Sequence, residues 1–246
     1  MATALLILCL CTGCGSFLLK VTGISETKIQ PVLLSNGTKE VVFFPMHHIG
    51  VQEFYSDVRR QIDSLNQRGY ITLYETTRPN ITDSMALRTL HMKVRKLVGF
   101  NMPKGTSYIS LLEQSGVADF IDKHQLMDQP TYFDLMVDTA TAVRADVPLE
   151  RIIAKFEEEE GEIKLSECDL QTPLDTTRYK CEGFTKKIQY EFLENYILGL
   201  RNSELARTVD EVSAQRISVI YGAAHFKGFL EELKERDPAW EKVVTR

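Results

Sequence analysis

Residues 41–50 read Val41-Val42-Phe43-Phe44-Pro45-Met46-His47-His48-Ile49-Gly50. The opening run of β-branched and aromatic side chains predicts a short buried strand. Val51, Phe54, Tyr55, Val58, Ile62 and Leu65 follow at spacings of three and four. That spacing lays one apolar stripe along a helix, and Gly69 ends it. Tyr70-Ile71-Thr72-Leu73-Tyr74 reads as a second strand. Strand, helix and strand in this order predict a βαβ unit with parallel strands and a right-handed crossover.

The far end of the chain repeats the theme. Ile217-Ser218-Val219-Ile220-Tyr221 reads as a late strand, and Phe226, Phe229, Leu230 and Leu233 mark the helix after it. Between the two ends, Asp83 is the expected N-cap of a helix whose apolar face runs Leu87, Leu90, Val94, Leu97 and Val98. Residues 107–127 read as helical in two pieces around Gly116, and the acidic run Glu157–Glu160 as a solvated helix face or loop. The polar stretch 168–184 reads as a loop or small hairpin. A long helix is expected after it, with Ile188, Phe192, Tyr196 and Leu200 four apart. The expected fold is therefore α/β: a single domain over residues 40–238, with a central, mostly parallel sheet flanked by helices.

Composition narrows the function classes. Of 246 residues, 43% are hydrophobic and 26% charged, values that exclude a disordered or collagen-like chain. Lys plus Arg total 29 against 34 Asp plus Glu, so no basic excess points to nucleic acid.

The five cysteines are unevenly placed. Cys9, Cys11 and Cys14 crowd the start, and Cys168 and Cys181 stand alone. Residues 2–13 are apolar or small and uncharged. The run is too short to span a bilayer, which takes about 20 residues, but it suits a secretory signal. It ends in Thr12-Gly13-Cys14, small residues before a Cys, as in the bacterial lipobox. The expectation is a signal at 1–13, lipidation of Cys14, and a protein anchored in the cell envelope that faces the periplasm or exterior. A plain cleaved signal and a buried N-terminal element are the alternatives. After processing, Cys168 and Cys181 are left to pair in an oxidising compartment or to remain reduced. With such a signal, the sequons at Asn36 and Asn80 read as chance matches.

Two histidines have matched settings. His48 follows the first strand after Pro45, and His225 follows the last strand after Gly222, each with two spacers. In an open α/β sheet, ligands bind beyond the carboxyl ends of the strands. Glu75 ends the second strand, with Arg78 three residues on. His48, His225 and Glu75 suit a divalent metal (manganese, cobalt or zinc) with an open position for water. Without a metal, Glu75 would orient a His acting as general base, and Arg78 would hold a carboxylate or an oxyanion. The plain alternative is that each His is a structural hydrogen-bonding residue. His47 is read as structural or supporting, His91 as packing or surface, and His124 as solvated.

These residues resemble the TraB, GumN and Tiki superfamily, related to ChaN and to erythromycin-esterase-like proteins. Its hallmark is a pair of Gly-x-x-His motifs near the two ends of the domain. Gly222-Ala223-Ala224-His225 matches, and Pro45-Met46-His47-His48 matches except for Pro in place of Gly. Glu53-Phe54-Tyr55, Glu75, Arg78, Ala145-Asp146-Val147 and Arg201-Asn202 also resemble family segments. The resemblance implies an α/β sheet with both motif histidines in one cleft. The Tiki branch implies metal-dependent peptide cleavage, and the pheromone-shutdown branch implies binding or degradation of small peptides. The expected function is that of a lipid-anchored hydrolase acting on a peptide or a small amide or ester. His48, His225 and Glu75 would bind metal or activate water, and Arg78 and Arg201 would orient anionic groups or support the carboxylate. The alternative is a binding lipoprotein for a peptide or haem iron, as in the ChaN-like branch.

Overall fold

The computed structural model describes residues 23–99, 107–113, 118–138, 140–176 and 179–243. The expected signal at 1–13, Cys14 and the break at Gly116 lie outside the described residues. In chain order the strands are β1 (Val32–Ser35), β2 (Glu40–Met46), β3 (Ile49–Gly50), β4 (Ile71–Tyr74), β5 (Met127–Asp128), β6 (Val143–Arg144), β7 (Arg216–Gly222) and β8 (Glu241–Lys242). The α-helices are α1 (Gln52–Gln67), α2 (Ser84–Val98), α3 (Tyr108–Glu113), α4 (Ala118–His124), α5 (Leu149–Glu160), α6 (Glu167–Gln171), α7 (Lys186–Glu191), α8 (Leu200–Glu211) and α9 (Phe226–Arg236). Contacts divide the chain into two compact units. The first holds residues up to Glu75, Ser107–Ala145 and Ala206 onward; the second holds Thr76–Thr106 and Asp146–Leu205.

The first unit carries a six-stranded sheet in the order β6-β4-β7-β2-β1-β8. Strands β6, β4, β7 and β2 are parallel, and β1 and β8 add antiparallel pairs at one side. The mostly parallel α/β class expected from the sequence is therefore observed. The expected βαβ strands β2 and β4 are parallel, but β7 lies between them, so each pairs with the late strand. Side chains alternate across a strand, and β2 uses both faces. Phe44 and Met46 join Phe54, Tyr55, Val58, Ile62 and Leu65 of α1 in one core cluster. Phe43 turns the other way, its ring 5.0 Å from Phe226 and 5.6 Å from Phe229 of α9. The β1–β2 hairpin turns at Asn36-Gly37, where Gly37 has φ +85° and Asn36 Oδ1 accepts from Thr38 N and Lys39 N. Lys39 Nζ donates to the carbonyls of Val209, Asp210 and Val212 at 2.6–2.8 Å, closing the C-terminal end of α8.

The second unit is helical where it is regular. Leu90 and Leu97 of α2, Ile152, Ile153 and Phe156 of α5, and Phe192 and Tyr196 share one core. Asp83 caps α2 as expected, accepting from Ala86 N. The run Glu157–Glu160 ends α5, whose buried face is Ile152, Ile153 and Phe156. Residues 168–184 are not wholly a loop. Ser166 and Asp169 form a reciprocal capping box that starts α6. Cys168 and Cys181 are joined as a disulfide. The expected long helix changes pitch: Phe192–Gly199 is π-helical between α7 and α8. A strict four-residue apolar repeat exceeds the α-helical period of 3.6, and the wider i→i+5 turns take up the difference.

Candidate functional site

The carboxyl ends of β2, β4 and β7 form one edge of the sheet in the first unit. Glu75 follows the last residue of β4, and its N–H donates to Ile220 O at 3.2 Å, so the ladder runs one residue further. Its carboxylate bends across to β7, where Oε2 accepts from Gly222 N at 2.6 Å. Oε1 lies 3.9 Å from His225 Nε2. That gap is too long for a direct hydrogen bond and wide enough for one bridging atom. His225 closes a 3-10 turn, Ala223–His225, that leads into α9. Its imidazole is buried and meets Tyr221 edge-on at 4.8 Å.

Gly222 is favoured by proximity, not by conformation. Its φ is −53° and its ψ 135°, which any residue adopts. A Cβ there would stand 3.2 Å from Glu75 Oε2 and 3.5 Å from His225 Cδ2. The glycine leaves room for the carboxylate.

His48 is held differently. The sheet register sets Met46, not Pro45, opposite Gly222, with Pro45 opposite Tyr221. The two His settings are therefore offset by one residue. Ile49 opens no helix; it lies in β3, which pairs with β5. The His48 ring lies flat against Tyr108 at 4.7 Å, and His48 O accepts from Gln129 N at 2.9 Å. Pro45 is accommodated because the pairing of β1 with β2 stops at Phe43, so no ladder bond to β1 is lost there. His47 packs on Phe54 at 5.5 Å, and burial, the largest influence, lowers its pKa.

The fit to a metal is tested by the donor set. Among the described residues, no three His, Cys, Asp or Glu side chains are grouped as a metal site requires. The geometry brings His225 to Glu75, while His48 is stacked on Tyr108 and is not grouped with them as a third ligand. The two arginines belong to the second unit. Arg78 is exposed. Arg201 forms a buried fork with Asp146, Nε to Oδ1 at 2.8 Å and Nη2 to Oδ2 at 2.9 Å, so it supports a carboxylate of its own unit.

Sequence reasoning carried a helix through residue 127, where Met127 instead opens β5, and it did not single out residues 128–137. Tyr132 Oη donates to Glu75 O at 2.5 Å, and its ring packs on Tyr74 at 5.0 Å. Gln129 and Tyr108 hold His48. The signal in the sequence is Tyr132-Phe133, two aromatics flanked by Asp128-Gln129-Pro130-Thr131 and Asp134. A concavity of about 590 Å³ at the start of α1, lined by Lys28, Gln52, Glu53 and Arg60 among others, includes none of the expected site residues.

No family model matches the chain, and no curated protein or solved structure matches it.

Proposed function

We propose that the chain is a TraB/Tiki-like hydrolase of the cell envelope, acting on a peptide or a small amide or ester. The observation that supports this is the carboxylate–imidazole pair Glu75–His225 at the carboxyl edge of a parallel sheet, with 3.9 Å between Oε1 and Nε2. A water seated in that gap gives its proton to His225 Nε2, while Glu75 stabilises the imidazolium that forms. The water oxygen adds to the substrate carbonyl carbon. The C–N or C–O bond then breaks, and the imidazolium returns the proton to the departing amine or alcohol.

A second form would place a cation between the two side chains, which would have to close from 3.9 Å to the roughly 3.3–3.6 Å that separates two tetrahedral ligands bonded at about 2.0–2.2 Å. In that form His225 and Glu75, with His48 once its ring had left Tyr108, would hold manganese, cobalt or zinc, which would supply an acidified water. Purified protein is offered a panel of peptide, amide and ester substrates, with chelator and with each metal. Turnover lost in both His225→Ala and Glu75→Ala supports the hydrolase. Loss with chelator and in His48→Ala selects the metal form. Tight ligand or haem binding without turnover replaces the hydrolase with the binding lipoprotein. The anchor rests on Cys14, and labelling with radioactive palmitate is expected in the native chain and absent in Cys14→Ser.

A further inference from the structure

We propose that Tyr132 is a positioning residue for the Glu75–His225 pair: its hydroxyl fixes the end of β4 so that the Glu75 carboxylate stays on Gly222 and turned to His225. This deepens the proposed function and rests on its reading of that pair. Glu75 stands just past the end of its strand and is the last residue that the ladder to β7 reaches. Its N–H is tied to Ile220 O at 3.2 Å, and Tyr132 Oη ties its carbonyl at 2.5 Å. With both sides of the residue held, the Cα that carries the side chain is fixed in place, and Oε2 meets Gly222 N at 2.6 Å.

The segment that bears Tyr132 is itself well held. Leu126, Leu135 and Val137 are buried in the first unit's core. Gln129 N reaches His48 O at 2.9 Å, and Asn66 Nδ2 reaches Met136 O at 2.8 Å. Gln125 and Met136, at φ 48° and 64°, are the non-glycine residues with positive φ among those described, and they bracket the segment. L side chains hold such conformations only where the surroundings over-determine them. The segment between them reaches the Glu75 side of the sheet edge through Tyr132 and the His48 side through Gln129. Tyr132 acts through Glu75 and does not touch the reacting atoms.

The test reads the Gly222 amide by NMR in the isotope-labelled full chain, so it needs no substrate. Tyr132→Phe keeps the ring on Tyr74 and removes only the hydroxyl. Gly222 N–H is expected to exchange about tenfold faster, the scale of one lost charge-assisted hydrogen bond. Its proton resonance should move toward that of Glu75→Ala, while Val219 in mid-strand keeps its protection. If Gly222 changes in Glu75→Ala but not in Tyr132→Phe, the role of Tyr132 is overturned and the pair survives. If Gly222 is unchanged even in Glu75→Ala, the carboxylate contact is absent and both readings fall. If Tyr132→Phe changes Gly222 yet no substrate is turned over, the hydrolase reading fails and the positioning role stands.

Discussion

Gly222 is worth more to the site than its neighbours because it contributes no side chain. Adding one methyl brings Cβ to 3.2 Å from Glu75 Oε2, so the carboxylate must give by a few tenths of an ångström. Gly222→Ala is expected to lower turnover by about tenfold or more, since small misplacements at a reacting pair are costly. Its backbone angles suit alanine, so the thermal midpoint should barely move; a large fall would mean the glycine serves the fold. The Gly-x-x-His pattern was legible in the sequence, but its reason was not. A motif reports spacing, and the approach of Glu75 from another strand shows only once β4 and β7 are side by side. The same limit applied to Pro45, whose tolerance depends on where β1 stops pairing. At Asp169, burial pushes the carboxyl up, but Lys96, Tyr179 and Ser166 outweigh it and hold the pKa down at about 2. In the unfolded chain it returns to the ordinary value near 3.8. The stabilisation is therefore present above pH ~4 and is lost as pH falls toward 2, where the unfolded state binds the extra proton. Acid unfolding followed by circular dichroism should show this slope, and Asp169→Asn should flatten it.

Elements were read with uneven success, and the failures share a cause. Periodic apolar faces announced α1, α2 and α9, and β2, β4 and β7 stood out as β-branched runs. What escaped was structure set by a few polar contacts. The helix α6 depends on the Ser166–Asp169 box inside a stretch whose composition reads as loop. The π segment shows in the sequence only as an apolar repeat slightly too long for an α-helix. Residues 126–137 have no period, because their order comes from contacts with Tyr74, Glu75 and His48. At α8, Lys39 satisfies three terminal carbonyls from a distant hairpin. Lys39→Met keeps the stem and removes the donors, and should cost about 1–3 kcal/mol in urea denaturation. The Cys168–Cys181 bridge closes the segment whose carbonyls, at Asp169, Thr172 and Pro173, receive Arg95. Replacing both cysteines by serine should cost about 2–4 kcal/mol. Hydrogen exchange should show the loosening around α2 and α6, and equal loosening at β7 would argue that the bridge supports the whole chain.

At the scale of the molecule, the α/β class and the mostly parallel sheet followed from the sequence, but the two units did not. No linker separates them, because each is assembled from separated stretches of chain, and composition cannot mark a boundary the chain crosses repeatedly. The sheet order also has a temporal meaning. β7, the strand between β4 and β2, begins only at Arg216. A ribosome emits the chain from its N-terminus, so β2 and β4 leave the tunnel long before the strand that joins them exists. Until then their facing edges lack their native partner, and the nascent chain has no route to a closed parallel sheet. Chains truncated before Arg216 should stay protease-sensitive throughout the first unit, while the full chain resists. Synthesis thus delivers a polypeptide whose central sheet stays open until the residues from Arg216 onward have left the ribosome.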